Sequence, residues 1–263
     1  MLEGDQAHYL INVMRCETGD RISLFNGRDG QWQAEVTSVS KKTINLSAIE
    51  QTRPQSPSPD LWLVFAAIKG KSELVVEKAT ELGVSKIIPL VTRHCVVRSL
   101  NMEKLEAHAI EAAEQCERLD VPTLETHKDL SHLLGAWDGN RKLLYGDESG
   151  GGMSLTKVLS SLREAALKLK AEAGDAAIHL DKNWIASASP RNDEALKVAV
   201  LVGPEGGFAA DEFAMLRACD FAIPFGMGPR ILRADTAAVS ALACIQSHMG
   251  DWDEQPHFIG NKN

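Results

Sequence analysis

The chain has 263 residues, of which 44% are hydrophobic and 24% charged, enough for one large soluble domain or two modest ones with real cores. Its formal net charge of −8 lacks the basic footprint of a general nucleic-acid binder, so any RNA contact has to come from a local patch. Five cysteines at 16, 95, 116, 219 and 244 are odd in number and show no CxxC spacing, which argues against structural zinc and fits a reduced cytoplasm. No apolar run reaches membrane-spanning length, and Glu3 and Asp5 stand where a signal peptide is basic, so the expectation is an unexported cytoplasmic protein with no membrane and no metal.

In chain order, His8–Arg15 predicts a short helix with Leu10, Ile11 and Met14 inward. Three alternating runs follow, Arg21–Phe25, Trp32–Val36 and Thr43–Leu46, joined by Asn26-Gly27-Arg28-Asp29-Gly30 and Val39-Ser40-Lys41-Lys42. That spacing predicts a small antiparallel sheet or barrel. Prolines at 54, 57 and 59 among Ser and Gln read as a linker. The expected organisation is therefore a small domain over 1–52, a linker over 53–60 and a larger domain over 61–263.

Beyond the linker the rhythm becomes strand, helix, strand. Leu61–Ile68 reads as a buried strand. Ser72–Leu82 is helical, with Leu74, Val75, Lys78, Ala79 and Leu82 at helical spacing and Gly83 as its stop, and Lys86–Val91 returns as a strand. Such units imply a parallel sheet with helices on its faces, the α/β class. A helix over Glu103–Leu119 and a strand over Lys142–Tyr145 come next, then a helix from the N-cap Ser154 to about Ala173. Residues 174–193 suggest a surface excursion. Lys197–Val202 is an apolar β-branched run, read as a strand buried on both faces. A helix over Ala210–Ala218, a weaker strand over Phe221–Phe225 and a last helix over Asp235–Met249 complete the pattern, with a polar, frayed tail after Gly250.

Two Gly-rich turns, Gly203-Pro204-Glu205-Gly206-Gly207 and Met227-Gly228-Pro229-Arg230, each directly follow one of the last two strands. Glycine there permits positive φ and close approach of backbone to a ligand. Taken singly, each is equally well a tight turn of an α/β domain.

The residues His8, Val13-Met14-Arg15, Gly19-Asp20, Asn26-Gly27, Lys69, Lys78–Val84, Glu114-Gln115, Arg118, Gly203–Phe208, Glu212 and Gly228–Thr236, in this order, make the chain resemble the RsmE family. These are bacterial ribosomal RNA (uracil-N3) methyltransferases of the SPOUT class. The resemblance implies a PUA-like β-barrel followed by a SPOUT-type parallel sheet whose C-terminal segment is threaded into a trefoil knot, and a homodimer with each site near the subunit interface. It implies S-adenosyl-L-methionine as cofactor and 16S ribosomal RNA, or the small ribosomal subunit, as partner. By motif, Leu201, Val202, Gly203, Glu205, Gly206 and Gly207 form one wall of the cofactor pocket and Met227, Gly228, Ile231, Leu232 and Ala234 the other, with Tyr145 to Glu148 as a third side. The chain departs from the family at Ala234-Asp235, where Thr-Glu is usual, and at Ala209, where Ser or Thr is usual. Its first residues also start close to the His8 motif, so either the start is truncated or the barrel is incomplete.

Methyl transfer from a sulfonium to a ring nitrogen requires alignment of donor and acceptor and exclusion of water, and the uracil has to be exposed or flipped. Arg233, by motif, is the catalytic candidate: a fixed guanidinium can hold a uracil carbonyl and stabilise a developing anion. Its bland reading is an ion pair with Glu212 or Asp235. Glu212 is the second candidate, either orienting Arg233 or capping its own helix. No residue reads as a general base. Arg15, Arg28, Lys69, Lys71, Arg93, Arg98 and Arg118 are the candidates for RNA contact, each with a solvated surface residue as its plain reading. A non-catalytic RNA-binding factor and an enzyme acting on transfer RNA are the competing functional readings.

Overall fold

The computed structural model describes residues 1–56, 58–127, 129–172 and 197–254. The excursion expected over 174–193 and most of the expected polar tail lie outside them. The described chain forms two compact units, one from residues 1–57 with 117–121 and one from 58–116 with 122–263.

In the first unit, helix α1 (Gly4–His8) runs straight into a π-helical turn over Tyr9–Val13, closed by Met14 N–H on the Tyr9 carbonyl at 3.0 Å. The wider turn rotates Met14 out to 53% exposure, so it does not point inward as an ordinary helical period requires. Leu10 and Ile11 still pack against Ala7, Cys16, Val36 and Ile44. Strands β1 (Arg21–Phe25), β2 (Gln31–Val39) and β3 (Ile44–Arg53) form an antiparallel sheet in that order. The N-terminal residues reach it through one bridge, Leu2 to Ile44, so among the described residues the strands form the open one of the two expected arrangements, an antiparallel sheet and not a closed barrel. β3 also runs into the expected linker. Pairing of Gln31 with Arg53 and Trp32 with Gln51 gives those polar residues ladder partners that composition does not reveal.

The second unit holds a seven-stranded parallel sheet. Its strands are β4 (Leu61–Ala66), β5 (Lys86–Leu90), β6 (Thr123–Leu124), β7 (Lys142–Gly146), β8 (Met153–Ser154), β9 (Val198–Val202) and β10 (Ala222–Gly226), in the spatial order β6-β5-β4-β9-β7-β10-β8. Period-two alternation divides its core. Leu61, Leu63 and Phe65 of β4, Leu144 of β7 and Val198, Val200 and Val202 of β9 face one cluster. Helices α2 (Ser72–Glu81), α3 (Met102–Gln115), α5 (Leu155–Glu172) and α7 (Ala234–Met249) supply its other side. Val64, Leu143, Tyr145, Ala199 and Leu201 face the second cluster, against α4 (Leu130–Gly135) and α6 (Ala210–Arg217).

The α/β reading thus holds, with local differences. The short elements β6, α4 and β8 carry too few residues to show a period. Ser154 keeps its expected place just before the helix at Leu155 and also ends β8, in register with Gly226. α3 stops at Gln115 because Glu117 takes a φ of +58°, and Leu74 faces solvent on α2.

Candidate active site

β9 lies between β4 and β7, and β7 between β9 and β10, all parallel. Their C-terminal ends therefore open on one edge of the sheet, and the segments after β7, β9 and β10 are neighbours there. Crevices at the carboxyl ends of parallel strands, where the connections diverge, are where open α/β sheets bind ligands.

Leu201 and Val202 close β9 with both side chains in the core, so they can offer a ligand backbone groups only. Gly207 N–H donates to the Pro204 carbonyl at 2.9 Å, folding the Gly-rich segment into a tight turn. Gly207 has a φ of +67°, and a Cβ there would collide with the Glu148 carboxylate. The conformation selects glycine; the exposed Glu148 side chain can swing aside. Gly203 lies against the Phe208 ring, while Glu205 and Gly206 are exposed.

Glu212 anchors the turn from below. It is 3% exposed, accepts from Ala209 N–H at 2.8 Å and takes Arg93 N–H from the loop after β5 at 3.0 Å. The first contact is half of a capping box at the start of α6. Ala209 has no side-chain oxygen to complete it, so the reciprocal bond is missing. The Glu212 carboxylate is thus engaged by backbone amides, and among the described residues no bond joins it to Arg233.

The second wall follows β10. Gly228 has a φ of +91° and faces open space, with nothing within 4 Å of the position a Cβ would take. Ile231 is 89% exposed, and Met227 and Leu232 are half-buried. Arg233 is the N-cap of α7 and is exposed, and Ala234 is buried in the first turn. Among the described residues the Arg233 guanidinium has no ion-pair partner.

Asp235 is taken instead by Lys71, from the loop after β4, at 2.5 Å. The Lys71 ammonium, hydrogen-bonded to it, holds the Asp235 carboxyl below its ordinary value. The bridge spans 164 positions in sequence, and spacing alone gives no sign of it.

On the third side, Tyr145 is 1% exposed in the second core cluster. Its ring lies under the site rather than lining it, and burial together with the nearby Asp147 raises the phenol pKa. Asp147 is itself buried and accepts from Ser149 N–H at 2.9 Å and Ser149 Oγ–H at 2.5 Å, which shapes the turn that carries Glu148.

The residues expected to touch RNA are dispersed over both units. In the first, Arg28 pairs with Asp29 at 3.3 Å, Arg118 with Asp120 at 3.1 Å, and Arg15 is exposed at a φ of +56°. In the second, Arg93 pairs with Asp211 at 2.6 Å, Arg98 donates to the Arg93 carbonyl at 3.4 Å, Lys71 is held by Asp235, and Lys69 is exposed. Among the described residues no group of three or more His, Cys, Asp or Glu is placed to hold a metal ion, and no helix is long and apolar enough to cross a membrane.

An open glycine, three apolar side chains at the surface and freely approachable backbone fit a flat heteroaromatic ring with polar edges, as the adenine of S-adenosylmethionine has.

Comparison with known proteins agrees. An RNA methyltransferase domain family matches residues 54–246, and an RNA methyltransferase PUA domain family matches residues 2–49. The chain is 32% identical over 241 residues to Ribosomal RNA small subunit methyltransferase E of Rickettsia conorii, covering 91% of this chain and 85% of that protein. It is 28% identical to the Bacillus subtilis protein of the same name, covering 93% and 88%. Among solved structures it resembles a Legionella pneumophila methyltransferase in complex with the bound cofactor SAM, with 27% identity, a TM-score of 0.70 and coverage of 94% and 90%. The fold is shared with a Ribosomal RNA small subunit methyltransferase E of Neisseria gonorrhoeae, with 21% identity, a TM-score of 0.73 and coverage of 95% and 92%.

Proposed function

The chain belongs to the ribosomal RNA small subunit methyltransferase E family, and from that premise we propose that it methylates N3 of a uridine in 16S ribosomal RNA, using S-adenosylmethionine. The observation that carries the proposal is the wall after β10, where open Gly228 and exposed Ile231 precede an Arg233 that no carboxylate among the described residues neutralises.

Bound there, S-adenosylmethionine supplies an electrophilic methyl group on a sulfonium. The backbone of Gly203 to Gly207 and of Met227 to Leu232 reads the polar edges of the adenine. Met227, Ile231 and Leu232 cover the ring and keep water from the transfer. Arg233, the N-cap of α7, holds a uracil carbonyl and stabilises the negative charge that spreads onto it as N3 gives up its proton to water; the methyl group would then pass to N3, with S-adenosylhomocysteine as the leaving product. Glu212 serves through the loop it ties down, and its two amide contacts support that reading over a catalytic one.

The same reading includes a homodimer with the site near the subunit interface, the small ribosomal subunit as partner and a cytoplasmic setting. It also includes a C-terminal trefoil knot. In its support, β9 and β10 flank β7, a strand that precedes both in sequence. The small unit over 1–52, the linker over 53–60 and the catalytic unit over 61–263 remain our division of labour between RNA capture and chemistry.

The test is incubation with tritiated cofactor and either isolated small subunits, free 16S RNA or transfer RNA, followed by mass analysis of the nucleosides. 3-Methyluridine in 16S RNA is the expected product. Label confined to transfer RNA sinks the substrate assignment, and absence of cofactor binding at millimolar concentration sinks the enzyme.

A further inference from the structure

The loop after β5 reaches the Gly-rich turn through one side chain that the mechanism above does not use. His94 Nδ1 lies 3.0 Å from the Gly206 carbonyl oxygen and 3.1 Å from that of Gly207. Both partners can only accept, so Nδ1 carries the proton and donates to the two together. The backbone fits closely against the ring: a Cβ on Gly206 would stand 3.2 Å from His94 Cβ. Next to it, Arg93 N–H is held by Glu212 and the Arg93 guanidinium by Asp211. The loop therefore meets the turn and the start of α6 at three points.

We propose that His94 is a positioning residue for the cofactor, acting through the carbonyls of Gly206 and Gly207. The inference rests on the methyltransferase reading given above. In a trans peptide the C=O and N–H point in opposite directions, and no peptide bond among the described residues is cis. Turning the Gly207 carbonyl to His94 therefore turns the Phe208 N–H away from it. Glycine itself imposes no such choice, because its peptide planes rotate more freely than those of any other residue. Gly207 N–H already ties the Gly206–Gly207 peptide to the Pro204 carbonyl; His94 reinforces that peptide and removes the freedom of the next, Gly207–Phe208, so the turn presents one set of polar groups before the cofactor arrives, and less ordering is left to be done on binding. Glu148, from the loop after β7, borders Gly207 on another side with its side chain exposed.

The experiment compares wild type, His94→Ala and His94→Gln by calorimetric titration with S-adenosylmethionine and with S-adenosylhomocysteine, alongside thermal melting and steady-state kinetics on the small-subunit substrate. His94→Ala is expected to weaken both ligands and raise the KM for the cofactor by about three- to tenfold, the worth of one ordinary hydrogen bond. kcat at saturating cofactor should stay within about twofold. His94 is exposed, so the melting temperature should move by no more than about 2 °C. His94→Gln, which keeps an N–H donor, should recover most of the affinity. Unchanged affinity in His94→Ala overturns the proposal. So does a fall in melting temperature that accounts for the loss, or a His94→Gln no better than alanine. A wild type that binds neither ligand overturns the methyltransferase reading and this inference with it, an outcome distinct from tight wild-type binding that ignores His94.

Discussion

Replacing Glu212 separates a carboxylate that holds the site together from one that takes part in the chemistry. Its two oxygens accept from Ala209 N–H at 2.8 Å and Arg93 N–H at 3.0 Å, and the residue is 3% exposed. Hydrogen bonds to charged groups are worth about 1.5–3 kcal/mol each, so truncation to alanine removes about 3–6 kcal/mol. Arg93 is exposed, so water can take over part of its amide's demand, and the lower end, about 3 kcal/mol, is the better figure. For a unit of this size about 1 kcal/mol corresponds to 2–4 °C, so Glu212→Ala should melt about 6–12 °C below wild type. Glu212→Gln keeps one acceptor and loses the other, and should fall about halfway between. Differential scanning calorimetry reads both, and cofactor affinity should decline in the same order as the turn loosens. A Glu212→Gln protein that melts with wild type, binds cofactor normally and yet loses turnover by about a hundredfold refutes this reasoning and returns the carboxylate to catalysis.

Arg233→Ala should abolish methylation of small subunits while S-adenosylmethionine binds within a few fold of wild type; retained turnover removes Arg233 from the chemistry. Gly228→Ala and Gly70→Ala both place a Cβ at positive φ, +91° and +68°, with no atom nearby. Each should cost about 1–2 kcal/mol of stability, but only Gly228→Ala should weaken cofactor in a titration, and equal binding by the two would take Gly228 out of the pocket. Lys71→Met tests the bridge to Asp235, whose folded pKa lies below its ordinary 3.8. A carboxyl with a depressed folded pKa contributes stability that is complete above the unfolded value and disappears as pH falls through the folded one. The melting difference between wild type and Lys71→Met should thus hold steady from pH 8 to pH 5 and close below pH 3.8, and a gap that ignores pH in that acid range would exclude the ion pair as its source.

What the sequence made legible was local. Val198 to Val202 is a five-residue apolar run, and only a strand buried on both sides can use it. The glycines after it can be read as a turn because a φ such as the +67° of Gly207 is one that side chains other than Asn and Asp rarely take. The π-helical turn at Tyr9–Val13 was not legible, since Leu10, Ile11 and Met14 satisfy an ordinary helical period equally well. The contacts that shape the site escaped for a different reason. His94 with Gly206, Arg93 with Glu212 and Lys71 with Asp235 lie 112, 119 and 164 positions apart, and each depends on the parallel strand order that brings the segments after β4, β5, β9 and β10 to one edge of the sheet. Their one visible trace was that every member sits just after a predicted strand or at a predicted helix start.

The charges show the same limit most sharply. Seven basic residues are candidates for RNA contact by charge and position, each with a solvated surface residue as its plain reading, and Arg28, Lys71, Arg93 and Arg118 each have a carboxylate of the chain itself within 3.3 Å. An acidic chain that binds phosphate must exchange such partners, and what that costs depends on exposure. The side chains of Arg93 and Asp211 are 67% and 47% exposed, and a pair so open is worth about 0–1 kcal/mol, which a phosphate readily replaces. Lys71 and Asp235, at 33% and 17%, form a more enclosed bridge whose rupture would leave Asp235 poorly solvated. Opening Arg93 therefore sacrifices little, whereas opening Lys71 would loosen the first turn of the helix that fixes Arg233. On this ground the loop after β5, with Arg93 and Arg98, is the better candidate for RNA than the loop after β4, and it is also the loop that holds the cofactor turn through His94. RNA drawing Arg93 away from Asp211 would act on a segment that already touches Gly206 and Gly207, and with the cofactor proposed at that turn, each ligand would then have a physical route to the other.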